Sequence, residues 1–221
     1  MYLNIELTKD GELLNQYYQL RERSYRDILG ISAFNGAEEE LDRSSEIMIA
    51  RVGGRCIGGI RISGASSTGQ IPLEKSPGFL AQELSNADLL PSKYCQWMRC
   101  TICPEVNMPR TFIQHQFILA TVLFSAALGY CFGFCASSRA HHRFYKRILS
   151  KYGIEYRHCD SVVINKEREF SDLEHVLYIT DIRASVAVLK AMPALSAKTS
   201  FCLDLTEQET IFQSMLAVVD E

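Results

Sequence analysis

YCQWMRCTI over 94–102, FIQHQFILATVLFSAAL over 112–128, YCFGFCA over 130–136 and HHRFYKRILSKY over 141–152 decide the fold of this chain. The first run reads as a strand, the second as a long apolar helix, and the third as a buried strand. The fourth is a strongly basic helix that ends at Gly153. Short apolar runs bounded by turn residues suit strands, and longer ones suit helices. A strand–helix–strand–helix order gives a sheet covered by helices.

Working outward toward the N-terminus, Glu12 to Leu29 places Leu13, Leu14, Tyr17, Leu20, Ser24 and Tyr25 at helical spacing and stops at Gly30. Ile31 to Ser44 is irregular and acidic. Glu46 to Arg51 and Cys56 to Ser63 are β-rich runs around Gly53-Gly54, which predicts a hairpin. A Gly/Ser/Pro-rich connection covers Gly64 to Gly78, and a short helix is expected over Phe79 to Ala87 before Pro91. In the tail, Ser161 to Ile164 and Val176 to Ile182 are expected to add strands, and Val186 to Met192 a helix. There is no internal repeat.

With 221 residues, 47% of them apolar, the chain can bury one substantial core, so one domain over 1–221 is expected. A formal charge of −3 gives no global reason to bind nucleic acid or an anionic membrane. The opening MYLNIELTKDGELL has no apolar secretory core, which predicts a cytoplasmic protein whose eight cysteines are thiols. Phe117 to Ser138 lacks any charged side chain and is long enough to span a bilayer. Gly129 and Gly133 interrupt it and its flanking cations lie at one end only, so a buried helix feeding a buried strand is the better reading.

Several groups carry chemistry. Arg99 interrupts an apolar strand between Met98 and Cys100 and needs a partner if buried. Arg139, Arg143, Lys146, Arg147 and Lys151 make one cationic face on an acidic protein. That face is an ordinary solvated surface, a dock for an acidic partner or, more remotely since no stacking-aromatic motif accompanies it, an RNA-binding surface. Cys100-Thr-Ile-Cys103 is a CxxC, which Cys95, Cys131, Cys135, His141 and His142 would have to complete into a metal site. Because these cysteines fall within apolar β runs, buried thiols and no metal are expected. Phe112, Leu119, Leu123, Phe124 and Phe132 suit either plain core or the lining of an acyl tunnel.

LRERSYRDILG (20–30), EEELD (38–42), GGIRIS (58–63), QWMRCTI (96–102) and RFYKRILSKYGIEY (143–156) together resemble, in order and spacing, the LuxI-type acyl-homoserine-lactone synthases. The resemblance covers about Leu14 to Met192. It implies an α/β (α+β) GNAT-like three-layer sandwich, a central mixed sheet flanked by helices. It also implies an N-acyltransferase that moves a fatty acyl group from an acyl carrier protein or acyl-coenzyme A to the α-amino group of S-adenosylmethionine, with no tightly bound cofactor. The family's residues are matched by Arg21, Tyr25 in place of Phe, Glu39, Asp42, Arg61 and Arg99. Ile31 stands where the family has Trp, and Gln96 where it has Glu. The related N-acyl amino acid synthases share the fold and make no lactone. A non-catalytic acyl-carrier-binding module is the other class.

Amide formation from a thioester needs a neutral amine, an oriented carbonyl and a stabilised oxyanion. Glu39, Asp42 and Gln96 are expected to hold the acceptor ammonium and relay its proton. Arg21, Tyr25, Ile31, Arg61 and Arg99 are expected to bind the acceptor. The amide of Gln96 is no base, so that task falls to Glu39, Asp42, a water or a backbone carbonyl. The cationic helix then steers an acidic carrier protein to the site. The competing reading of Arg21, Glu39, Asp42 and Arg61 is solvated surface charge. In a regular strand Gln96 and Arg99 face opposite sides, so joint action requires a bulge, which the GNAT resemblance implies.

Overall fold

A computed structural model describes residues 2–64, 71–76, 94–160, 162–164, 170, 173–183 and 199–202. Among the described residues eight strands form one mixed sheet in the order β6-β7-β5-β4-β3-β2-β1-β8. They are β1 (Leu3–Leu7), β2 (Glu46–Val52), β3 (Arg55–Gly64), β4 (Tyr94–Ile102), β5 (Phe132–Ser137), β6 (Tyr156–His158), β7 (Val176–Asp181) and β8 (Thr199–Cys202). Only β4–β5 and β1–β8 are parallel neighbours. The expected α/β class and helix-flanked mixed sheet are observed.

The helices are α1 (Gly11–Arg23), α2 (Glu40–Arg43), α3 (Arg110–Ala127) and α4 (Arg139–Leu149). The side chain of Asp10 caps α1 by accepting from Leu13 N at 2.9 Å. Past Arg23 the chain widens into a π turn over Ser24–Ile28. The hairpin forms as expected, with Gly53 and Gly54 at φ 58° and 82°, the left-handed region a tight turn requires. α4 is capped by the side chain of Ser138 just before it and passes through a 3₁₀ turn to Gly153 at φ 70°.

Helices cover both faces. On β3, a Cβ at Gly59 would fall 2.3 Å from the ring of Tyr17, so only glycine lets α1 lie this close. Arg61 and Ser63 share the Gly59 face and pair with Met98 and Gln96. Trp97 therefore points the other way, toward α3, where its Nε1 donates to Ser125 Oγ at 2.9 Å. The charge-free stretch over 117–138 is mostly α3 and β5 with their side chains in the core, and no helix among the described residues is long and apolar enough to cross a membrane.

Some expectations change. Val162–Ile164 carries no strand; the edge strand is Tyr156–His158, which pairs with β7. β1 and β8 were not anticipated. The helices expected over 79–87 and 186–192 lie outside the described residues.

Candidate active site

The site is built where α1 ends, beside β3 and β4. Arg21, fully buried on α1, donates to Asp42 from Nη1 at 3.1 Å and Nη2 at 3.0 Å, and to the carbonyls of Gly36 and Ala37. The loop before α2 is thereby tied to the helix. Asp42 is also fully enclosed. Its Oδ1 accepts from Arg61 Nη1 at 3.0 Å, and its Oδ2 from Glu39 N at 2.8 Å. Arg61, on β3, reaches Glu39 as well. Glu39 also binds Arg99, at 2.9 Å from Nη2. Arg21, Arg61 and Arg99 thus surround Asp42 and Glu39 in one network.

The solvated-charge reading therefore fails for Arg21, Asp42 and Arg61, whose side chains are at most 1% exposed. Arg21 has no surface left for a ligand and acts by positioning the loop. Glu39, with its side chain 28% exposed, is the carboxylate of the pair that keeps access to solvent. Burial alone would raise both carboxyls. For Glu39 the guanidiniums of Arg99 and Arg61 overcome that effect and hold it low, and for Asp42 the hydrogen bonds from Arg21 and from Glu39 N–H do so. Both are ionised and weak proton acceptors at neutral pH, which weighs against the expected relay of the ammonium's proton through them.

Arg99 sits on the expected bulge. Gly59 pairs with Thr101 but Arg61 with Met98, so β4 carries an extra residue, and Arg99 takes φ 55°. This conformation is uncommon for any residue other than glycine and is characteristic of functional sites. Tyr17 Oη donates to the Arg99 carbonyl at 2.8 Å and pins the bulge. The Arg99 guanidinium lies 4.8 Å from the centroid of Phe170 and 5.4 Å from that of Phe34. Tyr25 stacks on Phe34 at 4.4 Å, and Ile31 packs against the same cluster. Burial pushes the Tyr25 phenol up to about 12.

Below the bulge, β4 and β5 part. They pair from Tyr94–Phe132 to Trp97–Cys135, after which β4 runs on to Ile102 and β5 to Ser137 without pairing to each other. The gap opens into a cavity of about 340 Å³ lined by Tyr25, Gln96, Arg99, Cys100, Tyr145 and His141 among others. Gln96 is buried and accepts from Leu73 N at 3.2 Å through Oε1, so its amide N–H₂ is the group it can offer a ligand. Of the residues considered for an acyl tunnel, Leu119, Leu123 and Phe124 are core; Phe117 and Ile118 reach the cavity instead.

On α4, Arg139, Arg143, Lys146, Arg147 and Lys151 are all exposed, and Arg139 pairs with Glu174 at 2.7 Å. The two thiols of the CxxC are engaged separately: Cys100 Sγ accepts from Tyr145 Oη at 3.6 Å, and Cys103 Sγ donates to Glu105 O at 3.8 Å. Burial pushes the Cys100 thiol up to about 11, away from the thiolate a metal requires. Among the described residues no group of three metal-ligating side chains exists. Sequence reasoning missed Phe34 and Phe170 as parts of the site. A lone aromatic in a loop gives no periodic signal.

No protein-family model and no curated protein matches the sequence. Solved structures do match. The CoA-dependent acyl-homoserine lactone synthase BjaI, solved with SAM and isopentyl-CoA, has a TM-score of 0.61 at 13% identity, covering 96% of this chain and 98% of that one. The acyl-homoserine lactone synthase LasI has a TM-score of 0.58 at 14% identity, over 85% and 94%. A putative N-acetyltransferase from Lactobacillus plantarum has a TM-score of 0.54 at 13% identity, over 82% and 98%. The chain has the fold that acyl-homoserine-lactone synthases share with N-acetyltransferases.

Proposed function

We propose that this chain is an N-acyltransferase that moves a fatty acyl group from a carrier thioester to the α-amino group of S-adenosylmethionine, forming an N-acyl-homoserine lactone. The observation that carries the reading is Arg99, set on a left-handed bulge with its guanidinium bound to Glu39 at the point where β4 and β5 part. A thioester in the gap and an acceptor above it meet there. Glu39 offers negative charge to the acceptor's ammonium, and Arg99 offers a fork to its carboxylate or to the developing oxyanion. Gln96 adds an amide donor. Lactone closure follows when the acceptor's carboxylate attacks its own γ-carbon and expels methylthioadenosine, a step that needs a held, near-attack geometry. The Tyr25–Phe34–Phe170 cluster supports such a pocket.

The exposed cations of α4 favour an acidic carrier protein as donor, and BjaI supports coenzyme A as the second donor to assay. Gln96 and Ile31, which depart from the lactone synthases, favour a second reading in which a free amino acid is acylated and no ring forms. Full-length protein is incubated with acyl carrier protein or acyl-coenzyme A thioesters and with either acceptor, and products are identified by mass spectrometry. Methylthioadenosine released one-for-one with an acyl lactone supports the first reading. An open-chain acyl amino acid without it replaces that reading with the second. No thiol release with any pair leaves a non-catalytic module. Arg99→Ala lowers turnover by at least about tenfold with the fold intact, the loss expected for an interaction strengthened in the transition state.

A further inference from the structure

An α-ammonium must lose a proton before it attacks a thioester, and the groups discussed so far do not accept one. Glu39 and Asp42 are held ionised by guanidiniums, Gln96 is an amide, and burial holds the Tyr25 phenol and the Cys100 thiol in their protonated forms. Of the other titratable groups lining the cavity, Glu174 is exposed and paired with Arg139, burial holds the Cys135 thiol and the Tyr145 phenol protonated, and His175, whose Nδ1 lies 3.1 Å from Leu173 O, packs edge-on against Phe170. His141 remains.

We infer that His141 accepts the acceptor's ammonium proton, through water, at Nε2. The inference rests on the acyl-transfer reading above. His141 lies in the first turn of α4, just beyond the end of β5, at the lip of the gap between β4 and β5. Its Nδ1 is 3.2 Å from both Ser137 Oγ and Ser138 Oγ, and its backbone N–H is held by Ser138 Oγ. The ring is thus fixed by one edge. With Nδ1–H donating to these hydroxyls, the Nε2 lone pair stays open, and protonation there strengthens the same bonds.

The residue is itself exposed, so it can pass its proton on to bulk water. Partial enclosure of the ring by the cavity and then the Arg110 guanidinium hold it below the ordinary imidazole value, which leaves it neutral and proton-accepting near pH 7. The charged and titratable groups sharing its cavity are Arg110 from α3, Arg99 and Cys100 from β4, Cys135 from β5, Tyr145 from α4, Tyr25 beyond α1, and Glu174 and His175 before β7. The step balances. One proton leaves the ammonium for His141 and then solvent. The amine's lone pair forms the C–N bond, and the intermediate collapses as the C–S bond breaks. The second nitrogen proton ends on the departing thiolate.

The test is the pH profile of kcat/KM for the full chain with acyl-coenzyme A or acyl carrier protein as donor and S-adenosylmethionine or a free amino acid as acceptor. Wild type gains rate as pH rises toward the ordinary imidazole value, with the limb centred below it, and then levels off. His141→Gln and His141→Asn each lose about 100-fold and lack that acidic limb, and added imidazole restores part of the rate to His141→Ala. A purely structural role would give neither the lost limb nor the rescue. An unchanged limb in folded His141→Gln overturns the inference while leaving the acyl-transfer reading intact, as does a limb that disappears only in His175→Gln. Wild type inactive with every donor and acceptor overturns both.

Discussion

Asp42→Asn is the substitution that exposes how the site is held. Asp42 accepts from Arg21 Nη1 and Arg61 Nη1 at Oδ1, and from Arg21 Nη2 and Glu39 N at Oδ2. An asparagine is nearly the same shape, but in either orientation its N–H₂ faces two donors. Both arginines stay buried with less countercharge. Removing one partner of such a pair costs about 3–5 kcal/mol. With a urea m-value of about 2 kcal/mol/M for a domain of this kind, the midpoint falls by roughly 1.5–2.5 M. The sign with pH follows from the lowered carboxyls. Their stabilisation is fully present above the ordinary carboxylate range and is lost as pH falls through their depressed native values. The gap between wild type and Asp42→Asn therefore stays constant from about pH 5 to 8 and narrows below about pH 4. Urea melts followed by circular dichroism across that range check it. A loss under about 1 kcal/mol, or a gap that does not shrink in acid, would refute the network as a structural element.

Reversing Arg143 and Arg147 to Glu raises KM for an acyl carrier protein by about tenfold at low salt, less at high salt, and leaves acyl-coenzyme A nearly unaffected; equal effects on both donors place the dock elsewhere. Gly59→Val drives a side chain into Tyr17 and costs about 1–3 kcal/mol, read as a lowered Tm; an unchanged Tm means α1 can move away freely. Gln96→Glu puts a carboxylate in the cavity and raises the rate most on the acidic side of the profile. If the profile does not move, proton removal does not limit turnover.

The central strands and helices were legible because each is long and periodic: α1, the hairpin, β4, α3, β5 and α4 all fall close to where their patterns predict them. β1, β6 and β8 were missed or misplaced because strands of three to five residues carry too few positions for alternation to register. The π turn at Ser24 left no trace, since one extra residue per turn hardly disturbs a helical pattern. At the site, charge alone did not separate Arg21 or Asp42 from solvated neighbours such as Glu22 or Arg43. Pairing across 21 residues of sequence buries them, and no local pattern reports that. The bulge was anticipated because Gln96 and Arg99 could not otherwise share a site and because the GNAT resemblance implies one there.

The single tryptophan in the sequence, Trp97, is buried on β4 at the last rung before the strands separate. Its indole packs over Gly133, where a Cβ would lie 2.4 Å away, and its N–H is held by Ser125. Nature has thus placed one fluorophore, with no second emitter of its kind to blur it, on the wall of the cavity itself. Its burial predicts blue-shifted emission, and a molecule that slides between β4 and β5 is expected to change the dielectric beside that ring. Occupancy of the gap can therefore be followed optically in the unlabelled protein, before any product is known.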